Sequence, residues 1–526
     1  MVFFQHNLLE MIKKIFLTYI KKIILIYFYI LPGKFKFKFL SNLNFKIIDF
    51  NNYEKNKNII FKNIFYSLEK NPIIYNYDFL NLCSKLGGKR GIELAKLGVF
   101  KCYEINKFKP NIFWDTNQIA NRVFNLINNF DFINSISTQQ DEKKLKKILK
   151  ININAFNRFL FSKNLSEYSL LEFKVYILIK FILGDPVSNI KKKFEIIIDN
   201  QIDSFAMHKS YNIFEQAKFI NNLDEIISIL LNFNNDIPEI FYLTKLKMET
   251  VLAQYFRKDG SLALFNGVSN INQEKIKFAL SEKPNIRKIQ FPDNLNGIFF
   301  YEDKSKKIFI DTVQPTSSGH SKELSAGTLS LEFSSYQEKI ITNCGALEKS
   351  TGNASYLRYS AAHSTIVLEN TNISEIRDNQ PHIKYPQMVS FKRQTENLKH
   401  AVEASHNGYI KKYKKIIKRK IIFQENENYL TGEDSIISST SKNKEAVFHI
   451  RFHILPNILI TQTNNKRSVI LKTKNGHIWL FRANIDIVLE ESVYMDKNNV
   501  KETKQIVLNG ITKHNREKIN WSLSKK

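Results

Sequence analysis

The side chains in this sequence best suited to acid–base chemistry are three histidines and a tyrosine. His320 lies in Ser318-Gly319-His320-Ser321, a small-residue loop of the kind that displays functional groups. His363 opens a polar run after Ala361-Ala362, and His208 stands close before Tyr211. A histidine or tyrosine within hydrogen-bond reach of a substrate can take a proton or give one. Arg358 offers a fixed positive charge to an acidic ligand, and Trp114 a flat apolar face on which a sugar could stack. Plainer readings stand beside these. His363 could be a hydrogen-bonded histidine at a strand start, and Arg358 a partner for Glu332 or Glu369. His320 could be an ordinary surface residue, Tyr211 and His208 core or surface residues, and Trp114 core. His406 and His453 look architectural, one leading into the turn Asn407-Gly408 and the other ending a strand before Pro456. The run Lys411 to Lys415 would suit a polyanion or a solvated strand edge.

These residues sit in a chain of 526 residues, long enough for two or three domains, with 43% apolar residues and therefore able to build cores. Its three cysteines are too few and too scattered for a disulfide framework or a zinc ribbon. The formal charge of +28 suits nucleic acid, an anionic glycan or an acidic membrane, but it also fits a lysine-rich composition of the kind an AT-rich genome produces. The lysines are spread along the chain, with no zinc finger and no convincing helix-turn-helix, so nucleic acid is not the expected partner. At the N-terminus, Lys13, Lys14, Lys21 and Lys22 flank an apolar run from Ile23 to Leu31, closed by Pro32-Gly33. That run is about half the roughly 20 residues a membrane span needs. An anchor, a helix in contact with a membrane surface, a signal-peptide core and a buried helix all remain open.

The elements that must position the candidates change character near residue 260. Ile119, Val123 and Ile127 recur at helical spacing, Leu170 to Leu183 is closed by Gly184-Asp185-Pro186, and Leu223–Phe233 and Leu246–Tyr255 continue the pattern. Strand alternation is rare here, except in Lys34 to Phe39. Past Lys283 the chain reads as short strands, at Ile308–Asp311, Ala446–Ile454, Ile478–Arg482 and Ile485–Val493. Between Thr328 and Phe333, Leu329, Leu331 and Phe333 alternate with Thr328, Ser330 and Glu332, which predicts a half-buried strand with a polar face. A second strand after a short turn, and then a loop holding Gly352 and Asn353, should bring Arg358 and His363 to the same neighbourhood. Helices followed by strands predict two domains, the second an antiparallel sandwich.

Six segments occur here in the order found in the heparinase II/III family. They are Ser325–Phe333, Asn343-Cys344-Gly345, Arg358 with Ala361–Thr365, Ser405–Tyr409, Arg451–Pro456 and Leu489–Tyr494. In the helical half, Lys109–Trp114 with Ile119–Arg122, and Asp259–Gly267, resemble a toroid helix and the junction segment of a bacterial subgroup. The resemblance implies an N-terminal α/α toroid, an incomplete barrel of helical hairpins, followed by a C-terminal antiparallel β-sandwich. The expected division is 1–48 for the basic, apolar N-terminal segment, 49–268 for the toroid and 269–526 for the sandwich. It also implies a polysaccharide lyase acting by β-elimination beside a uronic-acid carboxylate, with an acidic polysaccharide as partner and the cell envelope as location. Such chemistry needs an amide or cation at the carboxylate, a base and an acid. His320, His363, Tyr211 and His208 are the candidates for catalysis, and Arg358, Trp114 and Asn343 for substrate binding.

The sequence departs from the family's pattern at several of these positions. Where the toroid usually offers Asn and His, this chain has Tyr168–Phe173, with neither. The family's Asp-Gly-Gly-His appears as Asp203-Ser204-Phe205-Ala206, the strand that usually begins His-Ala begins Ser325-Ala326, and the base position falls on Glu323. Some members carry a structural metal near the site. Its Asp position here is Asn343, only His363 survives of three probable ligands, and neither a metal nor another cofactor is expected. A scaffold that binds glycan or an envelope partner without cleaving it is the alternative.

Overall fold

The computed structural model describes residues 72–526 except 110, 186, 269–275, 277–278, 281–288, 317–318, 336–337, 348–355, 378–381, 442–443 and 497–498. The N-terminal segment with its apolar run, the strand expected at Lys34–Phe39, and Gly352 and Asn353 lie outside the described residues. The chain forms two compact units, one reaching Gln201 and including Phe219–Lys245, the other comprising Ile202–Lys218 and Leu246–Lys526.

The first unit is built of helices. Thr116–Asn128 buries Ile119, Val123 and Ile127 along one stripe and packs on Gln139–Phe161 and Leu170–Leu183. Leu170–Leu183 begins with a reciprocal cap, in which Ser169 accepts from the Glu172 N–H and Glu172 reaches back to the Ser169 N–H. It stops at Gly184, whose left-handed backbone (φ +77°) suits glycine. At the centre the fully buried Arg122 lies 3.6 Å from the Phe113 ring and donates to Asn152 and to the carbonyls of Tyr75 and Phe113. Trp114 is only 3% exposed, and its indole N–H donates to the Asn106 carbonyl at 3.1 Å. The expectation that Trp114 stacks on a sugar is therefore corrected, because the ring is buried and its one polar atom is used inside the helical core.

The second unit carries two eight-stranded antiparallel sheets. In the first, β1 (Ile298–Glu302), β2 (Lys306–Asp311), β3 (Leu331–Ser335), β4 (Glu338–Thr342), β10 (Val447–Ile454), β15 (Asn499–Ile511) and β14 (Ile487–Asp496) follow in spatial order, with β5 (Ile366–Leu368) also on β10. The second runs β11 (Leu459–Gln462), β12 (Ser468–Lys472), β13 (Ile478–Ala483), β16 (Arg516–Lys525), β9 (Tyr429–Ser438), β8 (Lys415–Gln424), β7 (Lys399–His406) and β6 (Val389–Glu396). Phe452 of the first sheet meets Trp521 and Phe481 of the second, at ring distances of 4.8 and 5.1 Å, and these rings knit the sandwich core. Gly432 is required where Trp521 crosses β9, because a Cβ there would come within 2.1 Å of the indole.

Strand β8 shows the alternation expected of a sheet with one open face. Strand β3 does not, and the polar face predicted for Thr328–Phe333 is interior. Leu329 has φ +64°, so the strand starts only at Leu331, and Thr328, Ser330 and Glu332 are all buried. The reason is Glu332. One carboxylate oxygen accepts from Arg257 and the Leu264 N–H, the other from the Thr342 hydroxyl and the Asn343 N–H. A charge bonded four times by the protein can leave water. The Lys411–Lys415 run is also corrected. Ile410–Tyr413 is a single helical turn, and only Lys415 enters β8, as a buried residue.

Candidate functional site

The segment between Gln201 and Ile213 makes a tight excursion that carries most of the acid–base groups. Asp203 organises it, with Oδ1 accepting from the N–H groups of Phe205 (2.9 Å) and Met207 (2.8 Å). Ala206 and Tyr211 both sit at left-handed φ, +61° and +49°, a conformation that side chains resist. Gln216 holds the excursion in place, accepting from the His208 N–H and donating to the Ala206 and Met248 carbonyls. Asn212 caps the next helix through the Phe214 N–H.

Two of the expected catalytic side chains, His208 and His320, meet here, and Tyr211 lies on the same excursion. The buried His208 ring lies edge-to-face on His320, 5.5 Å between centroids, and its Nδ1 pairs with the Ser210 hydroxyl at 2.8 Å. Burial pushes His208 down to about 3, aided by His320 and Lys218, so it is neutral at physiological pH. The Tyr211 backbone N–H closes a turn on the His208 carbonyl. Its phenol is a hydrogen-bond partner of Asp203, and burial and then Asp203 hold that phenol well above the ordinary tyrosine range. Burial in turn raises the Asp203 carboxyl. His320 and Tyr211 are part-exposed.

Asn266 ties this cluster to the start of the Ser325–Thr365 stretch. Its amide donates to the Tyr211 carbonyl at 3.3 Å and its oxygen accepts from the Ser325 N–H at 3.1 Å. Behind it lies Asp311, only 3% exposed and pushed by burial up to about 7. The Asp311 field adds to the raised values of Tyr211 and Tyr255. Sequence reasoning passed over Asp203, Asp311 and Asn266. The detectable sign was a carboxylate ending the apolar run Ile308-Phe309-Ile310, since an acid there is either paired or perturbed.

The other expected site residues are elsewhere. His363 is 3% exposed, lies under Gly327, where a Cβ would come within 2.9 Å of its ring, and has no hydrogen-bond partner of ordinary geometry at either nitrogen. Burial takes it down to about 4, with Glu332 and the nearby Leu357 backbone working the other way. Asn343 is fully buried, donating to the Leu264 carbonyl (3.2 Å) and accepting from the Ser364 N–H (3.0 Å). Arg358 donates to the Leu324 carbonyl at 2.8 Å. The expectations that His363 meets the substrate and that Asn343 binds it are corrected, because their side chains join interior segments. The same residues do not fit a metal either. The Asn343 amide is engaged on both sides, and among the described residues no three His, Cys, Asp or Glu side chains converge as ligands.

Helices followed by a two-sheet antiparallel sandwich give the chain the architecture of an α/α toroid joined to a β-sandwich. Residues 294–522 match the family model described as Heparinase II/III-like, C-terminal. Among solved structures the chain is similar to the heparinase III BT4657 gene product (TM-score 0.65, 11% identity, 96% of this chain and 88% of that one). It is also similar to a further heparinase III (0.63, 13%, 86% and 76%) and to the heparan sulfate lyase HepC from Pedobacter heparinus (0.57, 12%, 86% and 76%). At such identities the likeness establishes the fold alone. No curated protein matches the chain in sequence.

Proposed function

We propose that the protein acts on an acidic, uronate-containing polysaccharide by β-elimination, with Tyr211 and His320 as the proton-transfer pair. The observation that carries this reading is the part-exposed His320 ring set against neutral His208, whose chain excursion also carries the Tyr211–Asp203 pair. His320 would accept the proton from the carbon beside the carboxylate as the carbon–carbon double bond forms. Tyr211, which keeps its proton, would deliver one to the glycosidic oxygen as that bond breaks. Similar structures include a heparinase III and a heparan sulfate lyase, which makes heparan sulfate the first polymer to try. The cell envelope is the proposed location. Among the described residues no helix is long and apolar enough to cross a membrane.

The test is to incubate the protein with heparan sulfate, hyaluronan and alginate and to follow the absorbance of unsaturated uronate ends. Tyr211→Phe and His320→Ala should each lower the rate by about 10²-fold or more. A rate unchanged in both variants, or no signal from folded protein on any polymer, refutes the assignment. A second reading, binding without cleavage, is favoured by the enclosure of His363 and Asn343. It predicts retained affinity for these polymers with no double bond formed.

A further inference from the structure

The outer face of the second sheet holds an open groove of about 520 Å³, walled by Lys420 and Ile422 of β8 on one side and Arg482 of β13 on the other. Its floor is crossed by β9 and β16, which present Thr431, Glu433 and Ser522. Lys420 and Arg482 stand three strands apart, about 14 Å at ordinary inter-strand spacing. Both are set on paired strands, so the backbone fixes where their charges are rooted.

The two cations are unusual in what they leave open. Lys420 faces Glu403 and Glu433 across the ladder, yet both carboxylates are already held, Glu403 by Lys418 and Glu433 by Arg516 and Lys518. Neither the Lys420 ammonium nor the Arg482 guanidinium has an ion-pair or hydrogen-bond partner among the described residues. Between them lie hydroxyls and one carboxylate. A chain of phosphodiesters, which carries few hydroxyls, would make little use of Thr431 and Ser522. A sugar carries hydroxyls that both donate and accept, and an acidic sugar adds anions at intervals.

We infer that this groove is a second binding site, remote in sequence from the Tyr211–His320 cluster, for a segment of anionic oligosaccharide whose sulfate or carboxylate groups meet Lys420 and Arg482. It does not depend on the chain being a lyase, since it requires binding only. A site of this kind would hold a polymer on the sandwich whether or not a bond is broken.

The test is calorimetric titration of the full chain and of the Lys420→Ala/Arg482→Ala double variant with size-defined octasaccharides of heparan sulfate and of hyaluronan. Lys472→Ala, on the exposed end of β12 outside the groove, is the charge control. The double variant should bind one or both sugars at least about tenfold more weakly, the loss expected for charge-assisted contacts, with Lys472→Ala within about twofold of the parent. A loss confined to heparan sulfate identifies sulfate as the group recognised, and an equal loss with hyaluronan identifies carboxylate. Because both side chains are on the surface, the urea midpoint should not move, which separates lost binding from lost fold. The inference is overturned if neither sugar binds the parent, if the double variant binds within twofold, or if Lys472→Ala loses as much. It is also overturned if oligo-dT, and neither sugar, binds in a way that depends on Lys420 and Arg482.

Discussion

Asp311→Asn should remove a pH-dependent contribution to the stability of the sandwich-bearing unit. In the folded protein the Asp311 carboxyl accepts from the Val313 N–H at 3.0 Å, and burial raises it to about 7. An unfolded aspartate titrates near ~3.9, so between these values the folded state holds a proton that the unfolded state has lost. Stability from this group is therefore complete below about pH 4 and falls as pH rises to about 7, by ~4 kcal/mol in all. That is a large share of a typical ~5–15 kcal/mol. Asparagine cannot ionise and keeps the acceptor for Val313, but its buried amide protons lack a designed partner, at a cost of about 1–2 kcal/mol. The variant should be less stable than the parent below about pH 5 and more stable by roughly 2–3 kcal/mol at pH 8. Urea unfolding at several pH values, followed by tryptophan fluorescence, reads this directly, because Trp479 and Trp521 lie in the sandwich core. Parallel curves for the two proteins, or a variant weaker at pH 8, would refute a buried, proton-holding Asp311.

Two further substitutions test the interior that the family-like motifs build. Glu332→Gln leaves Arg257 and Lys339 buried without their counter-charge and should lower stability by about 3–5 kcal/mol, read as a urea midpoint. Burial alone would raise Glu332, but Lys339 and then Arg257 outweigh it and hold the carboxyl below the ordinary range. The parent's extra stability should therefore be present above the usual glutamate pKa and fade in acid, and the variant should lack that acid-side loss. Gly327→Ala places a methyl 2.9 Å from the His363 ring and should cost about 1–3 kcal/mol in melting experiments. If His363 only packs, that variant, assayed where it is folded, should keep the elimination rate of the parent.

The helices were readable because their signals are local. Ile119, Val123 and Ile127 announce a stripe, and Ser169, Glu172 and Gly184 mark the two ends of one helix. The strands Lys306–Asp311, Val447–Ile454 and Ile478–Ala483 fall where β-branched and aromatic runs put them. The polar face of β3 was misread because alternation reports which side chains differ, not what covers them. Glu332 looks solvent-facing until Arg257, far back in the chain, is seen to close on it. The proximity of His208 and His320 was equally out of reach of spacing. It depends on the Asp203 turn, on left-handed Ala206 and Tyr211, and on Gln216 bridging to Met248.

The motifs that carry the resemblance and the groups suited to proton transfer belong to different physical problems. Ser364 shows this well. Its hydroxyl donates to the Thr342 carbonyl and accepts from the His453 N–H, while its carbonyl accepts from Arg419, which is itself paired with Asp434. Asn343, Ser364, His453, Arg419 and Glu332 thus form a buried network in which each polar group satisfies another, and such networks tolerate little substitution because any one loss strands its partner. Residues under that constraint stay recognisable in a sequence whatever the protein does. The Asp203–Tyr211 turn is held by the Asp203 and Gln216 side chains acting on backbone atoms, which leaves a position such as Ala206 free to differ. A fold can therefore be plain in a sequence that departs from the expected pattern at its polar side chains, and the test of chemistry belongs where such side chains reach the surface, at Tyr211 and His320, rather than where the motif is densest.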